Sequence, residues 1–255
     1  MKTDLREWTD RQNCATWEEE AHAINPLRRE QIDILLHLVG DLSEPGDTLL
    51  DIGSGSGLVA EKILASAHSL NVLGLERSQA MMGLARERLQ NFGSRFRQVE
   101  FDLEQQLDSI PLSTGAFAAA YTVGTFQDLA PMAQFRLISW IYNLLPAGGF
   151  FFFQDRIRVT DEELFSTFYS AWARWSKVYD VPNNRPNTLV AFEERDRQIK
   201  KSPLSWPELL LFMRATGFSA DIIHKHAHTV ILVGRKLGAA ARRELGASAI
   251  ATKAS

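Results

Sequence analysis

The chain has 255 residues, 45% of them hydrophobic, with 28 basic and 31 acidic side chains and a formal net charge of -3. That length and apolar content allow a sizeable core and argue against global disorder, while the acidic balance disfavours broad binding to nucleic acid. A lone cysteine, Cys14, excludes an intramolecular disulfide and a multi-cysteine metal site.

The polar start, "MKTDLREWTD", does not follow the charged-then-apolar plan of a secretory signal. No apolar stretch approaches the ~18 residues of a spanning helix. A cytoplasmic protein with no membrane partner is therefore expected. Residues 15 to 40 read as helix, with Leu27, Ile32, Leu35, Leu36 and Val39 near one face and Gly40 as its stop. After the turn "EPGD", "TLLDI" is a short buried strand, and a helix begins near Leu58. "LNVLGLE", 70 to 76, is a second strand. Ser78 can cap the next helix, whose apolar stripe is Met81, Ala85, Leu89 and Phe92. "RFRQVEFD" and "GAFAAAYTVG" are strands three and four. Residues 131 to 145 form a helix, and "LPAGG" turns the chain into "FFFFQDRI", a fifth strand whose four phenylalanines fit burial on both faces.

Strands alternating with helices imply parallel crossover units and a three-layer α/β sandwich. The regularity changes over residues 159 to 217, which read as a helical insertion: a long aromatic helix, the turn-rich "DVPNNRPN", the charged "AFEERDRQIKK" and a helix after "SPLSWPE". "FSADIIH" and "TVILVGRK" close the sheet. One domain over residues 1–237 is expected, with N-terminal helices at 15–45 and a flexible tail from 238 to 255.

The chemistry concentrates in "LLDIGSGSGLVAEKILA". A dinucleotide fingerprint is G-x-G-x-x-G. Here Gly53, Gly55 and Gly57 form G-x-G-x-G, and Leu58 stands where the third fingerprint glycine would be. Asp51 precedes the turn, where an acid suits a cationic ligand group or accepts backbone N–H bonds. Glu76 lies 19 residues beyond Gly57, at the end of strand two, where a carboxylate can accept from a ribose diol or cap the following helix. The pattern wants a nucleoside with a positively charged, amino-acid-like arm.

On these residues the chain resembles the class I S-adenosylmethionine (SAM)-dependent methyltransferases. "LLDIGSGSG" matches their first motif, and "VLGLERSQAMMGLARERL" looks like the second. "VEFDLEQ" resembles the end of the third strand, and "LLPAGGFFFFQD" is similar to L-x-P-G-G, with Ala147 inserted. The resemblance implies a Rossmann-like fold with a seven-stranded sheet in the order 3-2-1-4-5-7-6, strand seven antiparallel, and SAM as cofactor. It implies a cofactor site of Asp51, Gly53, Ser54, Gly55, Gly57, Glu76, Arg77, Met81, Asp102, Leu103, Tyr121 and Thr122, with Asp102 on the adenine amino group. A second resemblance, of "TFQDLAP" to T-L-Q-F-L-P-P and of the late "MRATGF" turn, is to the carboxy-SAM synthase branch and its methyltransferase relatives. It implies a carboxylate-binding arginine, Arg156 or Arg185.

For the acceptor, ligands of open parallel sheets bind beyond the carboxyl ends of the strands. The loop after strand four offers Phe126, Gln127 and Asp128. Gln127 and Asp128 are the catalytic candidates; Asp128 serves as a base if the acceptor must lose a proton, and otherwise caps a helix. Leu164, Phe165, Phe168, Tyr169, Trp172, Trp175 and Tyr179 form one helical stripe. It suits packing on the sheet, a homodimer seam, or an aromatic lid over the acceptor. Arg156 and Arg158 can hold an acidic substrate or pair with surface carboxylates. His224, His226 and His228 alternate, but they straddle a strand end and a loop; no metal is expected, and His226 is a pocket candidate. The substrate set is thus Phe126, Arg156, Trp172, Trp175 and His226. The leading expectation is methyl transfer to a small molecule, with a carboxy-SAM synthase-like enzyme or a tRNA-modifying methyltransferase as the alternatives; NAD-dependent oxidoreduction and a non-catalytic scaffold are the other classes.

Overall fold

The structure, a computed structural model, describes residues 8–25, 27–66, 69–107, 112–180, 183 and 185–238. The expected tail beyond residue 238 lies outside them. Among the described residues no helix is long and apolar enough to cross a membrane.

The single helix expected over residues 15 to 40 is two, α1 (Arg11–Ile24) and α2 (Arg28–Asp41). Asn25 between them is extended, at φ -129° and ψ 95°. The residue after it in the sequence is proline, whose ring disfavours helical geometry one position earlier. Asp10 starts α1 by accepting from the Asn13 N–H at 2.8 Å.

The regular core then follows the expected order. It runs β1 (Thr48–Ile52), α3 (Leu58–Ala65), β2 (Asn71–Glu76), α4 (Gln79–Leu89), β3 (Phe96–Glu100), β4 (Ala119–Val123), α5 (Pro131–Leu144) and β5 (Phe150–Arg156). Ser78 caps α4 by accepting from the Met81 N–H. After β5 come α6 (Glu162–Val178), α7 (Leu189–Gln198), α8 (Trp206–Thr216), β6 (Phe218–His226) and β7 (Thr229–Lys236). The seven strands form one sheet in the order β3-β2-β1-β4-β5-β7-β6. The first five are parallel, and β7 is antiparallel to β5 and to β6. β6 therefore points the same way as β5, and the β6–β7 turn lies at the carboxyl edge of the sheet.

The phenylalanine run shows why two helical layers are needed. Phe151 and Phe153 enter the core beneath α5 and α8, while Phe152 enters the opposite core beneath α2, α3 and α4. All three are at most 2% exposed. Each such side chain contributes about 1.5–3 kcal/mol when removed from water. A strand apolar on both faces has nowhere stable to lie except between two layers.

The aromatic stripe of α6 packs neither onto the sheet nor entirely outward. Phe165 and Trp172 are buried against Phe192 of α7 and Ala227 of the β6–β7 turn, in a third cluster. Leu164 and Tyr179 on the same helix remain exposed, at 52% and 38%. The α6–α7 pair is thereby held over the carboxyl end of β5 and the amino end of β7.

Candidate active site

The glycine turn is hung from the neighbouring strand. The N–H groups of Gly53 and Ser54 both donate to the Leu75 carbonyl of β2, at 2.9 and 3.0 Å. Gly53 has φ +71°, and a Cβ there would lie 2.3 Å from Thr125 Oγ1. Gly55 has φ +54°, yet a Cβ there would meet nothing within 4 Å. The two glycines therefore answer different needs. Gly53 lets the chain after β4 close against the turn. Gly55 leaves its outer face open to an approaching ligand.

Glu76, at the end of β2, ties this turn to the next helix. Its two oxygens accept from the Gly55 N–H at 2.9 Å and the Ser78 N–H at 2.7 Å. Burial raises its pKa, and those bonds oppose the rise. Each oxygen retains a second acceptor direction. Asp102, just beyond β3, accepts from the Glu104 N–H at 2.8 Å, so it organises its own turn as well as facing the cleft.

These elements line a cleft of about 120 Å³. Of the expected cofactor residues it brings together Gly53, Gly55, Glu76, Arg77, Met81, Asp102 and Leu103. Five others do not line it. Asp51 and Tyr121 sit in register on β1 and β4. The Tyr121 hydroxyl donates to the Asp51 carboxylate at 2.8 Å, and the pair is sealed beneath the turn. Burial pushes the Asp51 carboxyl up to about 7. Thr122, fully buried, donates to the Ile52 carbonyl. Ser54 turns towards Gly74 and accepts from Gln98, and Gly57 faces Leu89 of α4.

A second cavity, of about 590 Å³, adjoins the cleft and shares Trp8, Trp17, Arg77, Gly124 and Asp128 with it. Its cations are Arg28, Arg77, Arg156, Arg185, Arg195, Lys200 and Lys201; its carboxylates are Glu104, Asp128 and Asp155. Seven cations against three carboxylates make it a basic chamber on an acidic chain. Two of the cations are neutralised in place. Arg156 holds Asp196 of α7 at 2.6 and 2.7 Å, and Lys201 is paired with Asp128. Among the described residues Arg185 has no such partner. Its guanidinium lies 4.5 Å over the Trp172 ring, and its Nη1 stands 3.1 Å from His228 Nε2. Its Nη2, shielded from solvent, has no hydrogen-bond partner. Burial, then repulsion from Arg156 and Arg195, lowers its pKa to about 9. The same burial and Arg185 itself keep His228 neutral, its pKa well below the usual range. The contact thus reads as Arg185 donating to an unprotonated imidazole nitrogen.

Of the expected acceptor-side residues, Arg156, Gln127 and Asp128 line this chamber. The other four do not. Phe126 is 1% exposed and packs on Phe151 and Phe153 in the core, because the 3-10 turn Phe126–Asp128 directs its ring under the loop while Gln127 and Asp128 face out. Trp172 backs Arg185 from behind. Trp175 packs on Tyr179 and His226, and His226 with it stays outside the chamber. The histidine that enters is His228, delivered by the tight β6–β7 turn. Among the described residues no group of three metal-ligating side chains is placed to hold a metal. Trp8 and Trp17 were not singled out from sequence. They meet edge to face at 5.4 Å and roof both cavities. Two tryptophans nine positions apart, across a capped helix start, were the available signal.

A sheet of this order, with a glycine turn at the first strand and an acid at the end of the second, is the arrangement expected of the class I SAM-dependent methyltransferases. Residues 49–149 match the methyltransferase-domain family, and that match together with the fold supports a SAM-dependent methyltransferase enzyme with SAM as cofactor or substrate. Open space over Gly55 beside the Glu76 and Asp102 carboxylates fits such a nucleoside. Among curated proteins, the carboxy-S-adenosyl-L-methionine synthase of Nautilia profundicola is 22% identical over 224 residues, covering 85% of this chain and 93% of that protein. That of Wolinella succinogenes is 24% identical, covering 73% and 80%. Among solved structures, an O-methyltransferase family protein from Burkholderia thailandensis superposes with a TM-score of 0.64 at 12% identity, over 90% of this chain and 61% of that one. The [4+2]-cyclase SpnF superposes at 0.56 and 17% identity, over 81% and 82%. At these identities the structures speak for the fold alone.

Proposed function

We propose that the chain transfers the methyl group of SAM to a small acidic molecule seated in the basic chamber. The observation that carries this reading is Arg185, an enclosed cation with an unbonded Nη2 and, among the described residues, no carboxylate partner, facing a cavity that adjoins the cofactor cleft. Keeping such a charge out of water is costly unless an anion arrives to meet it. In the same reading Glu76 receives the ribose hydroxyls and Asp102 the adenine amino group. Bound there, SAM supplies an activated methyl on a sulfonium. The protein's part is alignment and exclusion of water, which the roof of Trp8 and Trp17 supports.

A second reading, a carboxy-SAM synthase-like activity, is favoured by the two curated relatives and by the same arginine, which suits a carboxylated sulfonium. Native mass spectrometry of the purified chain separates the two. A co-purifying SAM or S-adenosylhomocysteine supports methyl transfer; a nucleoside heavier by a carboxyl group supports the synthase. Tight NAD binding with no response to SAM would sink both.

A further inference from the structure

We propose that Asp155 is the catalytic proton acceptor of this site and that the molecule it serves is a hydroxy acid, methylated on its hydroxyl oxygen. The inference rests on the acidic-acceptor reading above and adds the reacting group. Three carboxylates line the chamber. Asp128, the sequence candidate, is neutralised by Lys201. Glu104 is engaged at the rim with the Ala130 N–H. Asp155, at the carboxyl end of β5, is 1% exposed and has no ion pair among the described residues. Its oxygens accept from the Arg156 N–H at 2.7 Å and the Gln127 N–H at 3.2 Å. Those bonds fix the carboxylate and leave it further acceptor directions.

The neighbouring groups describe what the chamber lacks. Gln154 donates through Nε2 to Gln31, which itself donates to Thr229. Thr229 donates in turn to the His226 carbonyl. This relay sets the orientation of the Gln154 amide and leaves its Oε1 sealed and without a donor. Gln127 Oε1 is likewise unpartnered. Opposite in character, Arg185 Nη2 and Arg156 Nε are donors without acceptors. One cavity thus wants an anion for its guanidinium groups and an O–H donor for its amide oxygens and its free carboxylate. Buried polar atoms are rarely left in this state without a ligand to complete them.

The step balances without another reactant. The hydroxyl oxygen forms a bond to the methyl carbon as the carbon–sulfur bond breaks, and that electron pair stays on sulfur, leaving a neutral thioether. The hydroxyl proton passes to Asp155, which returns it to water when the ether leaves. Burial and the nearby Asp128 raise the Asp155 carboxyl to about 6, while Lys201 and the two N–H donors oppose the rise. It is therefore ionised, and a competent base, at neutral pH.

The test uses full-length protein loaded with S-adenosylhomocysteine and two matched probes, 3-hydroxybenzoate and 3-methoxybenzoate, followed by calorimetry. Wild type at pH 8 binds the hydroxy acid roughly tenfold more tightly, the effect of one hydrogen bond to a charged group. Asp155→Asn cuts that preference to roughly twofold, because a neutral amide oxygen accepts more weakly than a carboxylate. A second arm needs no variant: at pH 5 the wild-type preference shrinks in the same way as Asp155 takes up its proton. Equal binding of the two acids at pH 8, or a preference undiminished by Asp155→Asn or by pH 5, overturns the proposal. If S-adenosylhomocysteine binds and neither acid does, the acidic-acceptor reading itself falls and takes this inference with it.

Discussion

On the β1–β2 side of the sheet the ligand would meet main chain. Gly53 and Gly55 present bare backbone, and Glu76 is fixed by N–H groups of the turn it faces. On the β5–β7 side it would meet long side chains from α2, α7, the strand ends and the segment around residue 185. The first region is built from one continuous stretch and a single acid; the second is assembled from segments more than one hundred residues apart. A site made of backbone tolerates almost no change at its glycines. A site made of side chains can be re-specified one residue at a time.

The sharpest way to break this contrast is at the two glycines. Gly53→Ala meets both a left-handed φ and the Thr125 side chain. It should cost about 1–3 kcal/mol of stability and abolish SAM binding, read by thermal unfolding and calorimetry. Gly55→Ala meets only the φ penalty. It should lower Tm by no more than about 2–4 °C, the shift expected for roughly 1 kcal/mol, yet weaken SAM at least roughly tenfold. Unchanged SAM affinity in Gly55→Ala would mean that the open face of Gly55 has no ligand role.

Next in size is Arg185→Met. Acid affinity should fall roughly 10- to 100-fold with SAM affinity unchanged, because the cation serves only the chamber. Its depressed pKa, about 9, also carries a sign. A base whose folded pKa is lowered destabilises the fold throughout the pH range below that value, and stability recovers only as pH rises from about 9 towards the unfolded value. The methionine variant should therefore unfold at a higher temperature than wild type at pH 7. A lower Tm would show that Arg185 supports the packing of Trp172 more than it strains it.

A smaller effect tests the buried pair under the turn. The Asp51 carboxyl, raised to about 7, holds its proton in the fold at pH values where the unfolded chain has lost it. Stability from this group is present at low pH, declines from about pH 4 upward and is gone above about pH 7. Asp51→Asn should flatten that decline and raise Tm at pH 8, while its effect on SAM affinity reports whether charge beneath the turn reaches the cofactor. The smallest change is Ala227→Gly. Ala227 is held at φ +47°, so glycine should add at most about 0.5 kcal/mol in denaturant unfolding.

The same contrast sets what the sequence revealed. The two-faced burial of the phenylalanine run and the placing of Gly53, Gly55 and Glu76 about one turn were legible, because each is written in local spacing or in a short motif, and the strand order followed from the family resemblance those motifs carry. Tyr121 and Thr122 lie next to the site in register, but a central strand turns its side chains into the two cores and away from the open edge. Phe126 was misplaced for a related reason: sequence puts a residue on a loop without saying which side of the loop it faces. Asp155 was inside a quoted motif and still passed over, because its lack of a counter-ion is a fact of three dimensions. Trp8, Arg28 and Lys200 come to one chamber only through folding, and no local pattern joins them.

The segment from Trp8 into the middle of α1 spans both chambers, and this has a kinetic consequence. Because Trp8 and Trp17 line both cavities, a displacement of α1 would uncover the two together. A gate that opens both at once imposes no order, so either ligand should be able to bind first. Product-inhibition patterns showing a compulsory order would disprove such a shared gate.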